Sequence, residues 1–257
     1  MMPMKKRIQP HIMCGVGDVA KYVLLPGDPK RVEKIASFFD EAWKVSDYRG
    51  FITYTGKIGE IEISACSTGI GCPSTAIVVE ELTRIGAEIL IRVGTTGALQ
   101  PDIEVGDIVI ATGAVRSDGT SRAYIPLEYP AIADFDVTSA LFEASKKSAV
   151  KIHRGIIQSS DAFYMGSDAE IKTFSDGNVL AIEMESSTLF TLASLKRIKA
   201  GTILVVDGNL VKQIKKGEFE PNEKKGELED HVQRSIDEEI KIAINSIKIL
   251  DANHSFS

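Results

Sequence analysis

The 257-residue chain is poor in the residues that mark disulfide, metal, nucleic-acid and membrane proteins. It has three cysteines, Cys14, Cys66 and Cys72. They cannot all pair, and no spacing reads as a zinc site. A reduced, intracellular and cytoplasmic chain is the simplest expectation. The four histidines, His11, His153, His231 and His254, are scattered and form no metal-like set, so no metal is expected. With a net charge of −6, the chain lacks the basic footprint of a nucleic-acid binder. Nowhere do 18 apolar residues run together, so no membrane span is expected. The segment "MMPMKKRIQPHIMCG" is basic but has no apolar run of the signal-peptide kind. Linkers rich in Pro and Ser, internal repeats and low-complexity tracts are also missing, so residues 1–257 are expected to form a single domain.

What the chain does have is a core and an alternation. Hydrophobic residues make up 44%. "KYVLLPG" (21–27) reads as a strand entering a turn, and Asp28-Pro29 opens a helix through Phe39. Residues 51–67 read as a hairpin turning near Gly59. Helices are expected over 73–87, 134–149, 185–198 and 226–250, the last from its apolar residues at helical period. Strands are expected over 88–94, 106–115, 155–160, 178–184 and 200–208. The pattern predicts an α/β fold, a mostly parallel mixed central β-sheet flanked by helices on both faces. Ligands of such sheets bind at the carboxyl ends of the strands.

Those ends carry the informative residues. Three arginines stand at glycine-marked turns: Arg31 in "PGDPKR", Arg49 in "DYRGF" and Arg92 in "IRVGTTGALQP". In "PGDPKR" a glycine lets backbone amides approach an anion, and the following helix presents its positive end. Arg92 lies inside an otherwise apolar strand, where a charge is costly unless paired. Thr95, Thr96 and Gly97 follow it with hydroxyls and amides. "AIEMESSTLF" (181–190) sets Glu183 and Glu185 two residues apart as strand becomes helix. A carboxylate there can accept both vicinal hydroxyl protons of a ribose, and capping of the helix suits Glu183 better than Glu185. "ILVVDGN" (203–209) ends a buried strand at Asp207, a candidate general acid. The glycine-rich "STGIGCPS" (67–74) is not G-x-G-x-x-G and reads as a structural turn. Basic groups for a small anion beside acidic groups for a polar ligand suit a site that holds phosphate next to a sugar.

Together these segments resemble the nucleoside phosphorylase family, which includes uridine phosphorylases and hexameric purine nucleoside phosphorylases. The likeness runs from about His11 to Leu250. It is dense in "PGDPKRVEKIA", "STGIGCPSTAIVVEEL", "IRVGTTGALQP", "VGDIVIATGAVRSDGTS", "SSDAFY" and "EMESSTLFTL". The resemblance implies the nucleoside phosphorylase fold and reversible phosphorolysis of nucleosides to free base and ribose 1-phosphate. It implies inorganic phosphate as co-substrate, with no cofactor. Its phosphate site would be Gly27, Arg31, Arg92 and Thr95, with Arg49 entering from a neighbouring subunit. Met184 and Glu185 would contact the ribose, with His11 of the neighbour at the 5′-hydroxyl. Thr96, Gly97, Phe163 and Asp207 would surround the base, and Arg92 and Asp207 would carry the catalysis. A homo-oligomer is implied, a hexamer built as a trimer of dimers with sites shared across the dimer interface.

The base pocket departs from the uridine enzymes. Those place Gln and Arg shortly after their "SSDTFY"-like motif, where this chain has Ser167 and Ala169. It also lacks their longer insertion before "EME". Asp207 in "VDG" resembles purine nucleoside phosphorylases of protozoan parasites, in which the Asp protonates the leaving purine. Other hexameric purine enzymes carry the acid one residue later, at the position of Gly208. Gly50 stands where uridine phosphorylases often place a Glu for a monovalent cation, so no such ion is expected. Purine nucleosides are therefore the favoured substrates and uridine the alternative. A hydrolytic nucleosidase of the same fold, which needs no phosphate clamp, is the more remote one.

Overall fold

The computed structural model describes residues 7–214 and 224–254. Strand β1 (Tyr22–Leu25) leads into helix α1 (Pro29–Ala36), then come strands β2 (Glu41–Tyr48), β3 (Phe51–Ile58) and β4 (Ile61–Cys66). Helix α2 (Cys72–Arg84) connects to β5 (Ile89–Ala98) and β6 (Ile108–Ser117). After α3 (Gly119–Tyr124), β7 (Ala131–Ile132) and α4 (Phe135–Ser145) come β8 (Ile152–Ser160), α5 (Asp168–Asp176) and β9 (Ala181–Glu183). Helix α6 (Ser186–Lys196), β10 (Lys199–Asn209) and α7 (Lys224–His254) complete the order.

The sheet is mixed. Strands β4, β1, β5 and β10 run parallel side by side, as do β6, β8 and β9. Antiparallel pairing joins the two sets at β10–β6 and β5–β9, and adds β3, β2 and β7. The pairings β5–β10–β6–β8–β9–β5 close on themselves, so five strands form a ring and β1, β4, β3 and β2 extend from it.

Continuous apolar runs arise because both faces are covered. Along β1, Val23 and Leu25 face one core with α2 and α6, whereas Tyr22 and Leu24 face the other with α1, α4 and α7. Helix α1 starts where expected, with the Asp28 side chain accepting from the Lys30 amide and Pro29 next to it. It stops at Ala36 rather than Phe39. The 59–60 turn of the β3–β4 hairpin also lies where expected, with Gly59 at φ 58°.

Four elements were not legible. Strand β2 is mostly exposed and so shows no apolar alternation, α5 buries no residue, α3 spans six residues and β7 two. Each is placed by contact with a neighbour rather than by its own pattern. Among the described residues no helix is long and apolar enough to cross a membrane.

One consequence for the site is the pairing of β5. Its first half lies against β1, up to Leu25 opposite Arg92. Its last residues lie against β9, from Gly97 opposite Ile182. Between Arg92 and Gly97 that edge of β5 changes neighbour. Ligands of open α/β sheets bind at switch points of this kind.

Helix α7 packs against the sheet below this switch point, with Ile240 and Ala243 fully buried. Ile240→Ala should cost about 2–5 kcal/mol, the range for deleting a buried aliphatic side chain. Urea unfolding followed by circular dichroism measures it, and a midpoint equal to that of the parent would show that α7 does not contribute to the cooperative core.

Candidate functional site

Arg92 is 5% exposed and lies on the last residue of β5 paired with β1. Its Nε donates to Glu183 Oε2 at 2.8 Å, and its Nη2 is ion-paired with Glu185. Burial opposes the charge on Arg92, but the two glutamates outweigh it and hold the guanidinium pKa above its ordinary value. Nη1 is buried and has no hydrogen-bond partner. An arginine has five N–H donors in a fixed fork. Two edges of this fork are anchored and the third is left over.

The space beside that donor is kept open by Gly27. A Cβ there would come within 3.9 Å of Arg92 Nη1 and 3.2 Å of the Gly69 carbonyl oxygen. Arg31, in the first turn of α1, comes to the same floor. Its Nη1 lies 4.0 Å from Glu239, a fully buried residue of α7. Gly27, Arg31 and Arg92 are therefore brought together, around the β1 end and the α1 N-terminus. Thr95 lies three residues after the last β1-paired residue, Arg92, and is half-buried.

The two glutamates divide their work. Glu183 accepts from Arg92, from Ser159 Oγ and from the backbone amides of Glu185 and Ser186, so it anchors the start of α6 as its position suggested. Glu185 Oε1 accepts from the Gly71 amide at 2.6 Å, and Oε2 faces Arg92. Burial pushes the Glu185 carboxyl above its usual range, with Arg92 opposing. An ionised carboxylate can accept about four hydrogen bonds, so acceptor capacity remains. Met184, between them, is half-buried.

Asp207 sits where the β10–β5 register shifts. Val206 pairs with Thr96 and Gly208 with Gly97, so Asp207 is the extra residue of a bulge. Bulges turn a side chain out of the ladder and recur beside active sites. Asp207 is half-buried. Thr96 opposite it donates its hydroxyl to the Ile182 carbonyl, tying β9 to β5. At Gly97 a Cβ would meet the terminal methyl of Leu210 at 2.4 Å, so any larger residue there requires Leu210 to shift.

Three residues from the sequence reading stay apart from this cluster within one chain. Arg49 lies on the β2–β3 turn at φ 54°, exposed, with its guanidinium over the Tyr48 ring. His11 is held by Glu81, which accepts from its Nδ1 at 2.6 Å and from its backbone amide. Phe163 is 60% exposed and packs edge-to-face on Tyr164. Ser167 caps α5, accepting from the Glu170 amide. Among the described residues no His, Cys, Asp and Glu group of three or more could hold a metal ion.

The Phosphorylase superfamily profile matches residues 21–244, which includes the β1 end, the β5 switch point, both glutamates and Asp207. The chain belongs to the Phosphorylase superfamily. Among its relatives, a guanosine phosphorylase of Halorubrum lacusprofundi is 44% identical over 242 residues, 94% of this chain and 99% of that protein. A uridine phosphorylase of Thermococcus kodakarensis is 48% identical over 217 residues, 79% of this chain and 78% of that one. The crystal structure of a Vibrio fischeri uridine phosphorylase superposes with a TM-score of 0.87 at 32% identity, covering 93% of this chain and 96% of that one. The α/β fold and mixed sheet expected from the sequence thus agree with those of the superfamily.

Two contributors to this phosphorylase-superfamily site were not read from the sequence. The 67–74 turn delivers the Gly71 amide to Glu185, although it had read as structural only. Glu239 is hidden in a helix of many acids, and only its complete burial singles it out.

If Glu183 is the anchor of Arg92, removing its carboxylate leaves a buried charge short of its partner. Glu183→Ala should cost about 3–5 kcal/mol, the range for breaking a buried ion pair from one side. Denaturant unfolding tests this, and a loss below 1 kcal/mol would mean that Glu185 alone holds the guanidinium.

Proposed function

We propose that the protein catalyses reversible phosphorolysis of nucleosides, with purine nucleosides favoured. The observation that carries this reading is the unpartnered Nη1 of Arg92 beside the space that Gly27 keeps open. A buried N–H donor without a partner is costly. An anion seated between Gly27, Arg31 and Arg92 would satisfy it.

Phosphorolysis needs phosphate below the anomeric carbon as the glycosidic bond breaks. The sugar becomes cation-like, and the bound anion stabilises that charge. Arg31 and Arg92 hold the anion from one chain, the Gly27 amide and Thr95 adding donors. Glu185, already oriented by Gly71 and Arg92, accepts the ribose hydroxyls, and Met184 packs beside the sugar. Asp207 reaches from its bulge to the imidazole side of a purine and protonates the leaving base. Thr96 and Gly97 line the base side as backbone, and Phe163 closes over base and sugar. Phosphate is the co-substrate, and no organic cofactor or metal enters the scheme.

Uridine is the second reading, and it has its own support. Relatives at 48% and 43% identity are named uridine phosphorylases. Asp207 and the Ser167 and Ala169 positions favour purines, as does the guanosine phosphorylase that aligns over 94% of the chain. Hydrolysis by water would leave the arginine pair without a role.

Arg49 and His11 are proposed to serve the site of a neighbouring subunit in a cytoplasmic homo-oligomer, a hexamer built as a trimer of dimers. Arg49 is exposed and its charge is opposed by no carboxylate among its described contacts. Met13, Val16, Trp43 and Tyr48 are exposed apolar residues on the same two segments, and a subunit contact there would cover them.

Inosine, guanosine, adenosine and uridine should be assayed side by side with and without phosphate. Base release only with phosphate supports the reading; equal release without it indicates a nucleosidase. Arg31→Ala should weaken phosphate use by about 1.5–3 kcal/mol, the worth of a charged hydrogen bond. Asp207→Asn should lower purine nucleoside turnover by about 10²–10⁴, the usual contribution of a general acid, and uridine turnover far less. Equal losses on both, or a parent enzyme that prefers uridine, would favour the uridine reading.

Sharing of sites has a separate test. Arg49→Ala and Glu185→Ala proteins should each be inactive, and mixing them should restore part of the activity once subunits exchange. Full activity in a stable monomer would exclude the shared site.

A further inference from the structure

The geometry points to Glu239 as a positioning residue for the phosphate arginines, one whose carboxyl takes up a proton when the anion binds. The inference rests on the phosphate reading of the Gly27, Arg31 and Arg92 cluster.

Glu239 comes from α7, more than 140 positions along the chain from Arg92, and is completely buried. Its Oε1 accepts from the Gly94 amide at 3.0 Å, and the nearby Val205 amide of β10 favours the charged carboxylate. The Gly94 amide lies within the stretch of β5 between its β1 and β9 partners. Glu239 thus pins the strand segment that carries the proposed phosphate donors. Its Oε2 is buried without a hydrogen-bond partner and lies 4.0 Å from Arg31 Nη1. Arg92 attracts the carboxyl from a greater range.

These are the charged groups that face it. From α1 comes Arg31 and from β5 Arg92, while β10 offers a backbone amide. On its own helix, Asp237 pairs with Lys34 and Glu238 with Lys241. On α4, which packs against α7, Asp136 pairs with Lys199 and Glu143 with Lys146.

The charge count gives the coupling its sign. Arg31 and Arg92 are balanced by Glu183 and Glu185. A phosphate dianion brings the cluster of one chain to about −2, or −1 with a neighbour's Arg49, and an ionised Glu239 would add a further negative charge in a site with little water. Burial already pushes the Glu239 carboxyl up to about 8, with Arg31 opposing. An arriving anion competes for Arg31 and Arg92 and repels the carboxylate. It therefore favours the protonated form further. By linkage, whatever raises proton affinity on anion binding also lowers anion affinity as the proton is removed. Anion binding should be strongest below about pH 8 and weaken as pH rises through that value. A one-unit displacement of the carboxyl corresponds to a tenfold change in affinity.

Phosphate itself titrates near neutrality, so the probe is sulfate, which stays a dianion throughout. Sulfate binding to the intact protein should be measured by calorimetry between pH 6.5 and 9.5. Affinity should fall about tenfold across the upper half of that range. At pH 8.5, heats in two buffers of different ionisation enthalpy should reveal proton uptake. Glu239→Gln keeps an acceptor for the Gly94 amide and cannot ionise. It should bind sulfate with a flat pH profile and no uptake.

A profile that falls equally in the parent and in Glu239→Gln, or an absence of proton uptake in the parent, overturns the role of Glu239. The buffer comparison needs no variant, so poor folding of Glu239→Gln leaves the test intact. Sulfate binding that is indifferent to Arg31→Ala would instead remove the anion site, and the inference with it.

Discussion

A guanidinium inside an apolar strand is the constraint on which this molecule is organised. Arg92 cannot be buried unless its charge is balanced, because desolvating an unpaired ion is far costlier than any local packing gain. Two glutamates separated by one residue provide the balance. Holding both at once requires β9 to end beside β5 and α6 to begin there. Glu183 secures that geometry by accepting the first amides of α6. The ion pairs, the strand exchange along β5 and the start of α6 are thus parts of one arrangement.

The arrangement also explains why the site is preorganised. Glu185 is fixed by Gly71 on one side and Arg92 on the other. Gly27 keeps the adjoining space clear, and Glu239 fixes the β5 backbone from beneath. Each element contributes through an amide or a carboxylate held by the core, so little reorganisation is needed when charge develops in the ligand. The burial that holds these groups in place also pushes the Glu185 and Glu239 carboxyls upward.

Asp207 shows how a local irregularity serves the same end. In a regular ladder its side chain would follow the alternation of β10. The bulge between Val206 and Gly208 adds one residue and re-aims it. Thr96, opposite, ties β9 to β5 through the Ile182 carbonyl. The side chain at this bulge can therefore be exchanged while the sheet and the Arg92 ion pairs stay as they are.

The sequence by itself determined the alternation of strands and helices and marked Arg31, Arg92, Glu185 and Asp207 as the informative residues, although β5 runs on to Ala98 and leaves Arg92 inside the strand rather than at its end. Apolar runs, glycine turns and caps are local signals, and local signals survive in a linear chain. Glu183 was legible as a helix anchor for the same reason. Strand β2, helix α5 and the short elements were not, because exposed pieces carry no burial pattern. Only the tertiary structure decided that the sheet closes into a ring, that the 67–74 turn reaches Glu185 and that Arg92 keeps one donor unpaired. It alone selected Glu239 from the acids of α7. Those outcomes depend on which distant segments share a desolvated space, and desolvation, unlike periodicity, is a property of the folded chain.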